Sequence, residues 1–230
     1  MNKPISVAIS ENTKTIISAF QLREIYQIAL FFLIDGFLNP SFENFTYYFL
    51  MDQIHISKIT YSFLILVSRF CSILGAMFYK AYGRHRETRT MVTFAMCISA
   101  TGSLMQYFFA KRWNLEVGVS DFFFLLFTDV VFNVLGVLFF GLPVFAFIAK
   151  VTPPGVEGTI YASLSGMADL SFSVIAPLTG SLINQNAIGV SKDNMEGYPT
   201  LIFITLIGSL LTFIAIPMIP TKKQMEEWKA

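Results

Sequence analysis

Six polar or charged side chains interrupt otherwise apolar stretches of this sequence: Asp35, Asn39, Glu43, Arg69, Asp129 and Asp169. A charge at the centre of a bilayer costs about 2.5–3.5 kcal/mol on insertion scales, so an ion in such a stretch points first to function. Asp35, Asn39 and Glu43 lie four residues apart, a spacing that puts them on one helix face. Between them, Asn39-Pro40 breaks the hydrogen-bond ladder and frees carbonyls that can line a site. At a helical rise of about 1.5 Å per residue, Asp35, Arg69 and Asp169 fall at similar depth, with Asp129 nearer one end. Arg69 could pair with Asp35 or Asp129. The chemistry such a set could do is to bind a substrate or couple protons in a central cavity. The same groups would also serve as an internal salt-bridge lock, or face a partner protein.

Other chemistries find no support. His55 and His85 have no partner at metal-ligand spacing, and no metal or cofactor is expected. The nucleophile-elbow, zinc-protease and phosphate-loop patterns are absent, so the chain is not read as an enzyme. Gly83-Arg84-His85-Arg86 reads as a topology signal. Asn44-Phe45-Thr46 matches a glycosylation pattern but falls inside an apolar span. Cys71 and Cys97 form no CxxC pair and read as buried thiols. The net charge is +1, and no basic face with interleaved aromatics suggests nucleic acid.

The elements that carry these residues are membrane helices. The chain of 230 residues is 54% hydrophobic and 13% charged, with 25 phenylalanines and a mean hydropathy of +0.61. A soluble domain carries about 25% charged residues, so half that charge suits a surface that faces lipid. Spans of about 20 apolar residues are predicted at about 24–50 (interrupted at Asn39-Pro40), 59–79, 90–110, 121–149, 157–183 and 200–219. The fold class is therefore all-α and polytopic, with six transmembrane helices in one domain over 23–220. Polar tails occupy 1–22 and 221–230. The N-terminal segment lacks a long apolar core and reads as no cleaved signal.

Eleven of the 16 Lys and Arg residues fall in the tails, the second–third loop and the fourth–fifth loop. That side should face the cytosol, or the matrix of a mitochondrion. Ala162-xxx-Gly166 and Ala176-xxx-Gly180 give the fifth helix a small face suited to close packing. The sixth helix is apolar all round and is expected on the lipid side, with the third less strongly so.

The run from Pro153 to Ala162 is more specific. Pro154, Gly155, Glu157, Thr159 and Tyr161 match a P-x-G-x-E-x-T-x-[FY]-A pattern that resembles the signature of the folate-biopterin transporter family, a branch of the major facilitator superfamily. Pro and Gly turn the chain there, and Glu157 falls in the first turn of the next helix, where the dipole favours an anion. Pro40 to Phe49 is similar to the family's seventh helix, and Ser163 to Ile183 to its eleventh. The second–third loop is basic, as in the superfamily, but Tyr79 stands where an Asp would be expected.

The resemblance implies the C-terminal six helices of a twelve-helix fold, half of a major-facilitator-type architecture, over about 23–219. One half supplies one wall of a site. The chain would transport a folate- or pterin-like anion after pairing with itself or with a separately encoded N-terminal half. A third reading is a fragment of a longer chain, against which the start at Met1 speaks, and the polar tails favour another expectation: an accessory subunit held by other membrane-protein subunits and lipid, with the mitochondrial inner membrane as a setting.

Overall fold

The computed structural model describes residues 21, 23–151, 157–221, 223 and 224. Among these, five helices are long and apolar enough to cross a bilayer: Lys58–Ala81, Thr88–Ala110, Asp121–Lys150, Gly158–Ile188 and Tyr198–Met218. They are the second to sixth spans. The first span is broken into Ile25–Leu38 and Glu43–Gln53, bent by 45°. The break falls at Asn39-Pro40, as the sequence predicts.

Proline also shapes the later spans. A ring nitrogen cannot donate, and the ring crowds the carbonyl four residues earlier. Pro143 follows a wide π-helical turn at Val137–Gly141, and Pro177 follows another at Ser171–Ile175. Such turns absorb the mismatch without ending the helix. A third wide turn, Asn184–Ile188, carries the fifth span five residues beyond its predicted end. Asn184 closes it: its Nδ2 donates to the Val190 carbonyl at 2.8 Å, and its Oδ1 accepts from the Val190 amide at 2.9 Å. Gly189, in the left-handed region at φ 75°, then releases the chain.

The first span runs through the middle of the bundle. Ile25, Ile28, Phe31 and Phe32 are buried against Val92 and Met96 of the third span, Phe147 and Ile148 of the fourth, Ile160 and Leu164 of the fifth, and Ala215 of the sixth. Past the break, Phe42, Phe49 and Leu50 enter a second cluster with Phe109, Tyr198 and Leu201. Phe49 stacks on Tyr198 at 4.3 Å between ring centroids.

The sixth span corrects the expectation of a lipid-side helix. Tyr198, Leu201, Ile202, Gly208 and Ser209 are buried, and Ser209 bonds Ser103 of the third span at 3.0 Å. The third span shares that packing and is equally interior along this face. An all-apolar helix in lipid carries no hydropathy contrast to mark its packed side, so small and hydroxyl residues mark it instead. The fifth span is split. Ala176 and Gly180 are buried against the break, whereas Ala162 and Gly166 are exposed. The cysteines also depart from expectation: Cys71 is half-buried and Cys97 exposed.

Candidate functional site

The break in the first span is fully tied down. The Ser41 amide donates to the Ala176 carbonyl at 3.0 Å, replacing a bond the helix lost. Thr205 Oγ1 lies 3.4 Å from both the Pro40 carbonyl and the Leu201 carbonyl of its own helix, and Ser209 Oγ, which donates to the Thr205 carbonyl at 2.9 Å, also approaches Asn39 Oδ1 at 3.4 Å. Tyr198 Oη donates to Thr46 Oγ1 at 3.1 Å. Two glycines permit this approach. A side chain at Gly180 would collide with the Ser41 carbonyl, and one at Gly208 with the Leu38 carbonyl. Asn39 is therefore a structural member of a buried hydroxyl chain.

The break also separates the residues expected on one face. Asp35 is buried in the first half, 8% exposed, and has no side-chain hydrogen bond among the described residues. Its neighbour Gly36 lies against Ser171, whose hydroxyl donates to the Phe32 carbonyl. Glu43 is exposed in the second half, across the 45° bend. A helix-face argument holds only where the helix is continuous.

Arg69 is not paired with Asp35 or Asp129. It is exposed, between Leu66 at 65% and Phe70 at 73%, and no carboxylate lies at ion-pair distance among the described residues. It does share a level with Asp129, because Ser68 Oγ donates to the Asp129 carbonyl at 2.9 Å. Asp35 is on the first span, where its neighbour Gly36 packs on the fifth. Asp169 is exposed beside Leu170 on the fifth span. Of the signature run, Pro154 and Gly155 lie outside the described residues. Glu157 opens the fifth-span helix, Thr159 is exposed, and Tyr161 packs against Phe145 at 6.0 Å.

Asp129 lies in a built environment. An open-sided cleft of about 430 Å³ runs between the third and fourth spans. Gln106, Thr128, Asp129 and Asn133 supply its polar groups, and Phe132 and Phe140 its aromatic ones. Its volume is within the range of about 300–1,000 Å³ usual for small-molecule sites. Thr128 Oγ1 is spent on the Phe124 carbonyl at 2.8 Å, and Asn133 Nδ2 on the Asp129 carbonyl at 3.0 Å. The Asp129 carboxylate has no hydrogen-bond donor among the described residues. Tyr47 and Tyr61 meet edge-to-face at 5.5 Å. That contact joins the first and second spans, and sequence spacing gave no means of finding it. No group of three or more potential metal ligands exists among the described residues.

The family model for the BT1 family matches residues 5–230. The chain belongs to the BT1 family. The chain is 24% identical over 182 residues to the "Folate-biopterin transporter" of Synechocystis sp., covering 79% of this chain and 36% of that protein. It is 24% identical over 226 residues to the "Probable folate-biopterin transporter 6" of Arabidopsis thaliana, covering 97% of this chain and 44% of that protein. With the "Probable folate-biopterin transporter 9, chloroplastic" of the same plant it shares 29% over 142 residues, 62% of this chain and 26% of that one. The chain therefore spans less than half the length of these BT1 relatives. No solved structure matches it. Membership of a transporter family agrees with the expectation that the chain is not an enzyme. It favours transport over the expected accessory-subunit role, which gains no observation from the fold or the family, and neither does a mitochondrial setting.

Proposed function

We propose that the chain forms one half of a membrane transporter for a folate- or pterin-like organic anion. In this reading it is the C-terminal six helices of a twelve-helix, major-facilitator-type fold, completed by a second copy or by a separately encoded N-terminal half. Its tails and basic loops face the cytosol or the matrix. The names of the BT1 relatives support the substrate class.

The observation that carries the reading is the cleft between the third and fourth spans, with Asp129 unmet in its lining, together with an exposed Arg69 on the second span, which packs on the fourth. Hydrocarbon would penalise Arg69 by about 2.5–3.5 kcal/mol. A water-filled path between two halves removes that penalty and offers a cation to an anionic substrate. Rocking of one half about the other then alternates access.

Uptake of radiolabelled folic acid into proteoliposomes tests this, with the chain alone and with a co-expressed complementary half. Uptake is expected in at least one preparation, and Arg69→Ala is expected to lower it by about tenfold or more, as for loss of a charge-assisted contact. Absence of uptake in both preparations would refute the proposal.

A further inference from the structure

The cleft beside Asp129 has a chemistry of its own. The Thr128 hydroxyl proton and one N–H of Asn133 already serve carbonyls of their own helix. What the cleft offers a ligand is mainly acceptor oxygen, at Asp129, Thr128 and the Asn133 side-chain carbonyl, with the second N–H of Asn133 and an amide of either sense at the exposed Gln106. Two aromatic faces, Phe132 and Phe140, flank the opening. Around Gly136 no atom lies within 4 Å of where a side chain would begin, so the fourth span leaves room for a ligand to lie flat.

A site with a free carboxylate, aromatic walls and a flat floor selects a particular shape. The ligand must be planar, stack on benzene rings, and present two N–H groups side by side for the two carboxylate oxygens. An anionic tail is the wrong end for it, because Asp129 would repel a carboxylate.

We infer that the Asp129 cleft binds the head of the ligand, a fused heteroaromatic ring bearing an amino-pyrimidinone edge, as in a pterin, and that Asp129 accepts the paired N–H donors of that edge. The inference rests on the transport reading above and deepens it. Arg69, one residue beyond the Ser68 that bonds the Asp129 carbonyl, is left for the carboxylates of a tail. A ligand with a head and no tail would then use the cleft alone.

Equilibrium binding tests the division, with the full chain in lipid nanodiscs, together with its complementary half where uptake requires one. The probes are labelled folic acid, which has head and tail, and labelled biopterin, which has only the head. Unlabelled p-aminobenzoylglutamate, which has only the tail, serves as competitor. Asp129→Asn replaces one acceptor by a donor and is expected to weaken both labelled ligands by about tenfold or more, whereas Asp129→Glu keeps both within about threefold. Arg69→Gln is expected to weaken folic acid and leave biopterin unchanged. The competitor is expected to displace folic acid and not biopterin. Should Asp129→Asn fail to fold, Phe132→Leu reports on the same cleft, with a loss of about fivefold or more for both ligands from reduced stacking.

Folic acid bound by wild type but unaffected by Asp129→Asn, or by Phe132→Leu where that variant stands in, would overturn the head assignment and leave the transport reading intact. So would a loss confined to folic acid. Wild-type protein that binds neither labelled ligand would overturn both.

Discussion

The break in the first span and the cleft on the fourth are both polar interruptions of a membrane helix, yet they are built in opposite ways. At the break, the Ser41 amide, the Pro40 carbonyl, Asn39 and Thr46 each meet a partner from the fifth or sixth span. At the cleft, Thr128 and Asn133 bond only their own helix, with no contact across spans like those that supplement the own-helix bonds of Thr205 and Ser209, and the carboxylate of Asp129, one of the lining residues, meets no donor among the described residues. Polar groups in lipid that have protein partners hold helices together. Those without partners await something that arrives. The difference separates scaffold from site more sharply than the identity of the residues does.

Variants at the two regions should therefore divide along the same line. The largest effect is expected from Gly180→Val, which drives a branched side chain into the Ser41 carbonyl. A collision with rigid backbone should cost about 3 kcal/mol or more, at the upper end for overpacking, and show as loss of the monodisperse peak in detergent size-exclusion. A stable Gly180→Val protein would break the comparison. Asp129→Asn should leave thermal unfolding unchanged within about 0.5 kcal/mol, because it removes no protein contact. A large destabilisation there would move Asp129 from site to scaffold. Tyr198→Phe, losing the bond to Thr46, should cost about 0.6–1 kcal/mol in equilibrium unfolding while folic acid uptake persists.

A small effect is also expected away from both regions. Arg112 holds Asp121 through two 2.9 Å bonds at the turn between the third and fourth spans. Arg112 is a third exposed, so solvent screens the pair. Asp121→Asn should cost about 0.5–1 kcal/mol, and less in high salt.

Much of this fold is legible in the chain. Apolar runs of span length leave few alternatives in a bilayer, and Asn39-Pro40 announces a broken helix. What the pattern does not carry is rotation about each helix axis. In the sixth span every face is apolar, so only Gly208 and Ser209 betray the packed side. The candidate residues show the same divide. Asp129 stands out as a charge in an apolar run, and the cleft repays that attention. Asp35 and Glu43 look like neighbours because their spacing assumes a continuous helix, and the bend parts them. The contact of Tyr47 with Tyr61 has no signal of its own, since it joins two spans that meet only in the folded bundle.

Pairing across the break has a temporal side. The hydroxyl of Ser209 reaches Asn39 over a separation of 170 residues. At ribosomal rates of about 5–20 residues per second, that partner emerges roughly 10–30 s after the break has entered the bilayer. During that interval the Pro40 carbonyl and Asn39 of the bent first span stand in the membrane without the sixth span, and for most of it the Ser41 amide stands without the fifth. Water, an insertion factor or a non-native neighbour must serve in their place. The nascent chain is thus most vulnerable to degradation while its first span waits for its last, and a mutation that delays the sixth span will act as strongly as one that removes it.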